Sequence, residues 1–542
     1  MKKIKFNRFF SNATLLVMIG MTIISCNSGN SMTFAKPNIV LIMADDMGYS
    51  DIGCYGGEVK TPAINKLASQ GIRFSNFYNA SRCCPTRASL LTGIYPHQAG
   101  IGDMTHAVSS NTVPGPYQGF LNNNCVTLAE VLKSGGYYTA ATGKWHVGEE
   151  KPHWPTDRGF DNYYGLISGA SNYFDITRHK NNTVKRVFVE DGVSIVPSKK
   201  GFYMTDAITD HAITYLNNAK KKDKPFFLYV AYTAPHWPLH ALQKDIDKYR
   251  GKYMKGWDVL REDRMRRMVK MGLIDPKWAL SMRDPLVKPW DSLSDKQKDQ
   301  MDMLMSIYAA QIDHMDQGIA KVLAKLDSMG VSENTIVLFL SDNGACHEGG
   351  IWGEDFWGNF WVGKSVPGSG DSYHSVGRSW ANLSNTPFRM YKHWIHEGGI
   401  STPLIVRWPS VIHDKGTITN QVGNILDFMP TFCDISGTEY LKEYKGKKIT
   451  EMQGKSLLPI FEGKIRKQPV YYWEHEGNRA VRDGKWKIVA KTDSAWELYD
   501  MKEDRTEMDN LITEKPDNAK ILIDEYEKWA ERVGVKKIQI KN

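Results

Sequence analysis

What the sequence lacks narrows the field first. Its seven cysteines, at 26, 54, 83, 84, 125, 346 and 433, contain no CxxC pair and no framework spacing. That sets aside a zinc knuckle and a disulfide-stapled scaffold, and leaves open only isolated bridges in an oxidising compartment. There is no internal repeat, so solenoids and propellers are excluded. A strong charge imbalance is also missing: the formal net charge is +9 over 542 residues, and it is dispersed. This argues against nucleic acid as a partner, while a local basic site for an anion remains possible.

The N-terminus is rich in basic and apolar residues and has no acid. Residues 1–25 carry Lys2, Lys3, Lys5 and Arg8, so their removal takes the formal charge from +9 to +5. The apolar run Ala13 to Ile24 has 12 residues, too few to cross a bilayer as a helix but suited to a signal-peptide core. It ends in IISC, a small residue before Cys26, as in a bacterial lipoprotein box. The expectation is a lipoprotein signal peptide at 1–25, an acylated Cys26 and a polar tether at 26–35. The chain would then work in a bacterial cell envelope, as a periplasmic or outer-membrane lipoprotein, touching the membrane only through its lipid anchor.

Beyond the tether, apolar runs alternate with amphipathic ones. PNIVLIMADD, from Pro37, reads as a buried strand ending in Asp45 and Asp46. TPAINKLASQG reads as a helix with Thr61 as N-cap and Gly71 as stop. VTLAEVLKSGGYYTAATGKWH gives a helix, a Gly-Gly stop, and a strand into Lys144 and His146. KPFFLYVAYTAPHWPLH gives a strand running into a loop with His236. A long helix ends at Gly330, and NTIVLFLSDNG repeats the first pattern, ending in Asp342 and Asn343. Residues 241–300 read as charged and helical, and 345–384 as a long Gly- and Trp-rich loop near the site. The fold class expected is α/β: a large, mixed, mostly parallel sheet flanked by helices at 36–430, with a smaller C-terminal α+β subdomain, an antiparallel sheet plus a helix, at 431–542.

In such sheets the polar ends of the strands gather at one edge, where ligands bind. Here those ends carry Asp-Asp, Lys and His, His, and Asp-Asn. Asp45, Asp46, Asp342 and Asn343 offer only oxygen, which favours Ca²⁺ or Mg²⁺ over zinc. Lys144 and His146, two apart, would share a strand face. With His236 and Lys392 they suit the cleavage of a tetrahedral oxyanion ester, the lysines neutralising oxygens and a histidine moving a proton.

A nucleophile is still needed, and SRCCPTRASLLTG, Ser81 to Gly93, supplies a candidate. The stretch resembles the maturation signature of the formylglycine-dependent (type I) sulfatases of the alkaline phosphatase superfamily: Cys-x-Pro-x-Arg followed by Leu-Thr-Gly. The frame selects Cys83, with Pro85 and Arg87 in register; from Cys84 those positions are Thr86 and Ala88. GKWHVG, APHWPLH, FLSDNG and NTPFRMYKHWIHEGG look like the same family, and KYRGKYMKGWDVLREDRMRRM looks like its bacterial arylsulfatase branch.

The resemblance implies that a formylglycine-generating maturase oxidises Cys83 to formylglycine (3-oxoalanine), which hydrates to a gem-diol. It implies one calcium ion held by Asp45, Asp46, Asp342 and Asn343 together with residue 83. Arg87 and His146 would position and deprotonate the nucleophile, Lys144 and Lys392 would hold sulfate oxygens, and His236 with Lys392 would protonate the leaving group. The second hydroxyl then expels sulfate, an exit that an unmodified Ser or Cys lacks. The activity implied is hydrolysis of aryl or carbohydrate sulfate esters to alcohol and sulfate, the substrate being a sulfated small molecule or glycan. Two alternatives differ in chemistry. A phosphate or phosphonate ester hydrolase of the same superfamily would favour an unmodified Ser or Thr nucleophile and zinc-type histidines, and neither is visible. A glycan-binding lipoprotein with an unconverted Cys83 would have little reason to keep both lysines and both histidines.

Overall fold

A run of seven residues with no charge, NIVLIMA, is apolar on both faces, and such a strand is stable only inside a sheet covered on both sides. The computed structural model describes residues 36–105, 114–178, 186–354 and 365–536. The expected signal peptide, Cys26 and tether lie outside the described residues. The chain from Lys36 onward clusters as one unit.

Among the described residues the main sheet has ten strands. They are β1 (Asn38–Ala44), β2 (Ile72–Phe74), β3 (Tyr138–Gly143), β4 (Asn162–Leu166), β5 (Phe188–Glu190), β6 (Val193–Ser194), β7 (Phe226–Ala231), β8 (Thr335–Ser341), β9 (Leu404–Arg407) and β10 (Thr417–Thr419). Their order is β10-β2-β9-β8-β1-β7-β3-β4-β5-β6. The central run from β8 to β4 is parallel, and antiparallel pairs lie toward both edges. The fold is therefore the α/β class read from the sequence.

β1 divides the core by its alternation. Val40, Ile42 and Ala44 face a layer that includes α1 (Pro62–Gln70), while Ile39, Leu41 and Met43 face α2 (Cys83–Thr92) and α3 (Leu128–Ser134). On the first face lie also α4 (Met204–Lys222), α5 (Gly256–Met271) and α6 (Asp295–Met329). α3 carries a reciprocal cap: Thr127 Oγ1 accepts from Glu130 N at 3.1 Å and Glu130 Oε2 accepts from Thr127 N at 2.8 Å.

Some local expectations change. Thr61 precedes α1, but its side chain does not cap it. Asp316 on α6 does so instead, accepting from Ala63 N at 3.0 Å and Ile64 N at 2.8 Å. α6 begins earlier than its apolar pattern suggests, because Ser294 and Gln297 cap a polar first turn. Residues 241–300 are only partly helical. After α5, Pro276, Pro285 and Pro289 remove backbone donors, and the chain runs irregularly to α6. The loop from 345 ends in a short helix, Gly377–Ser384.

A helix at Phe428–Ser436 runs through position 430. Beyond it, β11 (Tyr471–His475), β12 (Asn478–Asp483), β13 (Trp486–Ala490) and β14 (Glu497–Asp500) form an antiparallel sheet in sequence order, with turns at Glu476-Gly477 and Gly484-Lys485. α7 (Pro516–Val533) lays Leu522, Tyr526 and Trp529 on it. No helix among the described residues is long and apolar enough to cross a membrane.

This smaller sheet is joined to the larger one by buried charge. Lys487 Nζ donates to Glu397 Oε1 and Glu507 Oε1, both at 2.8 Å, and Arg505 Nε donates to Glu397 Oε2 at 3.0 Å. Burial opposes the charge on Glu397, but Lys487 and Arg505 outweigh it and hold its pKa down to about 2. Removing one partner of such a group strands the others in a dry interior. Glu397→Ala is expected to cost about 3–5 kcal/mol, read as a large drop in the thermal midpoint. In the intact protein the contribution is present at neutral pH and is lost as the pH falls toward about 2. A midpoint unchanged by the substitution would contradict this role.

Candidate active site

The carboxyl ends of β3, β7, β1 and β8 stand level, since Met43 pairs with Ala231, Gly143 with Ala231, and Ala44 with Ser341. The ladder continues one step further: Lys144 N donates to Ala231 O at 2.8 Å, Asp45 N to Ala234 O at 3.0 Å, and Asp342 N to Ala44 O at 3.1 Å. The polar residues that follow each strand are thus delivered to one spot, and all of them are buried.

Two of these residues hold unusual backbone. Asp46 has φ 63° and His146 has φ 59°, a left-handed conformation that costs a side chain with a Cβ about 1–3 kcal/mol. At Asp46 the bend lets its N–H donate to Asp342 Oδ1 at 3.1 Å while Asn343 Nδ2 donates to Asp46 Oδ1 at 2.6 Å.

α2 brings Cys83 to this edge. Arg82 is its N-cap residue, and no side chain caps the helix there. Arg87 lies four residues along, on the same helix face as Cys83. Its guanidinium donates to Asp342 Oδ2 at 2.8 Å and to the Lys144 carbonyl at 3.0 Å, and lies 3.6 Å from Asp45 Oδ1. The spacing of Cys83 and Arg87 therefore has a geometric purpose: the arginine anchors the helix on the sheet ends, and the cysteine is carried with it.

The remaining basic groups close over the acids. Lys144 Nζ donates to Asp45 Oδ2 at 2.7 Å. Lys392 Nζ donates to Asp46 Oδ2 at 2.8 Å and lies 3.3 Å from His236 Nε2, which is itself 3.4 Å from Asp46 Oδ2. All the residues singled out in the sequence come together here. His146 Nε2 lies 3.2 Å from the sulfur of Cys84, and Cys83, Cys84 and His146 each place a ligand atom within 4.8 Å of the others.

The electrostatics separate the two cysteines. A hydrogen bond from Cys84, with Lys144 and His146 nearby, outweighs burial and holds the Cys83 thiol well below its usual pKa. Burial pushes Cys84 well above. Burial also pushes up the carboxyls of Asp45 and Asp342, against Lys144 and Arg87. It opposes the charge on Asp46 too, but there Lys392 prevails and lowers it. Both His146 and His236 are pushed down to about 4 by burial, so each is neutral at pH 7.

The donor set fits a hard cation. Asp45 Oδ1 and Asn343 Oδ1 are buried and have no hydrogen-bond partner among the described residues. Such atoms are costly unless something unseen satisfies them. Asp45, Asp46 and His236 each place a ligand atom within 4.8 Å of the others. Three carboxylates and an amide oxygen are the ligands a calcium- or magnesium-type ion takes.

Sequence reasoning missed Glu348, Arg82 and Trp237. Glu348 accepts from Trp237 Nε1 at 2.7 Å, pairs with Arg82 at 3.2 Å, and lies 3.9 Å from Lys392 Nζ. The available signal was slight: an acid five residues after Asn343, and a base just before Cys83.

Comparison with known proteins places the chain. Residues 37–438 match the family model for sulfatases, and residues 388–532 match that for the C-terminal region of N-sulphoglucosamine sulphohydrolase. An uncharacterized sulfatase of Schizosaccharomyces pombe is 33% identical over 544 residues, covering 92% of this chain and 94% of its own. An arylsulfatase of Klebsiella aerogenes is 33% identical over 437 residues, covering 80% of this chain and 93% of its own. The crystal structure of Ps i-CgsB in complex with k-i-k-neocarrahexaose superposes with a TM-score of 0.67 at 25% identity, covering 92% of this chain and 93% of that one.

The orphaned oxygens give a test that needs no substrate. Adding calcium to chelator-treated protein is expected to raise the thermal midpoint, by the equivalent of ~2.7 kcal/mol at about one hundred times Kd. Asp45→Asn should blunt the rise. No rise in the unaltered chain would count against a cation at this edge.

Proposed function

The chain belongs to the sulfatase family, and from that premise we propose that it hydrolyses aryl or carbohydrate sulfate esters with a formylglycine made from Cys83 and a calcium ion. One observation carries the reading: Cys83 sits in the first turn of α2, interacting with Asp45 and Asp46 and with Lys144, His146, Lys392 and His236.

Formylglycine would supply a hydrated aldehyde as nucleophile, which an unmodified thiol cannot replace because its adduct lacks an exit. Calcium, held by Asp45, Asp46, Asp342 and Asn343, would supply positive charge for the anionic group. The protein's own residues do the rest. Arg87 is fully engaged by Asp342 and Lys144 O, so its task is to hold the acids and α2 in register. Lys144 and Lys392 would turn to the sulfate oxygens, where their charge stabilises the transition state. His146, neutral, would accept the proton of the nucleophile. Lys392 and His236, 3.3 Å apart, would pass a proton to the departing alcohol oxygen. At the N-terminus, we extend the proposal to an acylated Cys26 that anchors the enzyme in a bacterial cell envelope.

Two measurements on one preparation test the reading. The peptide spanning residues 82–87 is expected to show Cys83 with sulfur lost and oxygen gained, and the protein to release sulfate from aryl or sugar sulfates. Cys83→Ala should reduce turnover to background while leaving the thermal midpoint close to that of the parent. Near-normal turnover in that variant, or phosphate release exceeding sulfate release in the parent, would contradict the proposal.

A further inference from the structure

Glu348 is an acid at this edge that is not among the expected ion ligands. It lies on the loop after β8 and touches two other loops. Trp237, next to His236, donates to its Oε2 at 2.7 Å, and Arg82, next to Cys83, donates to its Oε1 at 3.2 Å. Lys392 Nζ lies 3.9 Å away. The other side of Arg82 faces His393 Nδ1 at 3.2 Å, and His393 is paired with Glu476 at 2.8 Å. The side chains of Glu348 and Arg82 keep only 21% and 17% of their exposure, so their charges are poorly screened. Burial works against the carboxylate, but Lys392 and Arg82 outweigh it and hold it charged throughout the working pH range.

Before an ion is counted, four acids and four bases form the ion pairs around the nucleophile position, with Glu476 set behind Arg82 and His393. Asp45, Asp46, Asp342 and Glu348 stand against Arg82, Arg87, Lys144 and Lys392. Without Glu348, Arg82 would keep only Glu476 as a nearby carboxylate and so present more of its charge beside the nucleophile position, and Lys392 would lose an acidic neighbour at 3.9 Å. A pocket more positive by one charge gains more for a doubly charged ligand than for a singly charged one, since the attraction scales with ligand charge.

We propose that Glu348 determines the charge of the ester this site accepts: by occupying Arg82 and drawing on Lys392, it favours the singly charged sulfate monoester over the doubly charged phosphate monoester. Glu348 need not touch the substrate for this. It acts through the two basic side chains as a specificity-determining residue. The inference rests on the sulfate ester reading above and adds the means of discrimination.

The test uses inert single- and double-charge analogues, benzenesulfonate and phenylphosphonate, at about pH 8, where the second carries close to two charges. Their affinities for the calcium-loaded protein are measured by calorimetry and, where an aryl sulfate is turned over, as competitive inhibition constants. Glu348→Gln keeps an acceptor for Trp237 and removes only charge. It is expected to shift the affinity ratio toward the phosphonate by roughly tenfold. Glu348→Asp should keep the parent ratio, and Glu348→Gln combined with Arg82→Gln should return toward it, because both charges are then gone.

A ratio unchanged in Glu348→Gln would overturn the proposal. So would an equal loss of both affinities that the double variant fails to correct, which is what a purely structural role gives. Absence of sulfate release from the parent on any ester would sink the enzymatic reading instead. The ratio is obtained from binding alone, so the two failures are distinguishable.

Discussion

Three carboxylates and an amide oxygen are packed at the carboxyl edge of a parallel sheet, away from water. Their mutual repulsion and desolvation are the constraint that the surrounding structure answers. Arg87 bridges Asp45 and Asp342, Lys144 covers Asp45, and Lys392 covers Asp46. Each arrives from a different segment, so the acids gather the chain around themselves. Two buried oxygens still lack a donor among the described residues, and that unmet demand is what a divalent ion would satisfy. The strained backbone at Asp46 and His146 belongs to the same requirement, since such conformations persist only where neighbouring contacts over-determine them.

The same logic recurs at the junction with the smaller sheet, with a different outcome. Glu397, Lys487, Arg505 and Glu507 are equally buried, but nearly every oxygen and nitrogen there has a partner within the protein. That network ties the smaller sheet to the main body of the chain. The strand-end cluster differs in keeping Asp45 Oδ1 and Asn343 Oδ1 without a hydrogen-bond partner among the described residues. The contrast separates a structural ion network from a candidate catalytic one without appeal to sequence relatives.

Much of this was legible in the sequence, for identifiable reasons. β1 and β8 are uncharged runs that end abruptly in acids, and that pattern declares both a buried strand and a polar edge. Cys83 could be told from Cys84 by register against the signature the stretch resembles, and in the structure the hydrogen bond from Cys84 and the nearby cations hold the Cys83 thiol below its usual range while burial raises that of Cys84. What was not legible came from contacts between distant segments. The cap on α1 is Asp316, about 250 residues away along the chain. Glu348 carried no motif, and its meaning depends on Arg82, Trp237 and Lys392 meeting it from three loops. The irregular path between α5 and α6 followed from three prolines in a segment whose composition otherwise suggested helix.

The central claim is that residue 83, once oxidised, and a divalent ion share the space framed by Asp45, Asp46, Asp342, Asn343 and Lys144. A crystal structure of the mature protein grown with calcium, with anomalous data to identify the ion, tests it most directly. The expected result is density without sulfur at position 83 and a calcium signal within bonding distance of Asp45 Oδ1 and Asn343 Oδ1. An intact thiol there in material that hydrolyses sulfate esters, or an ion bound elsewhere with these two oxygens still unpartnered, would contradict it.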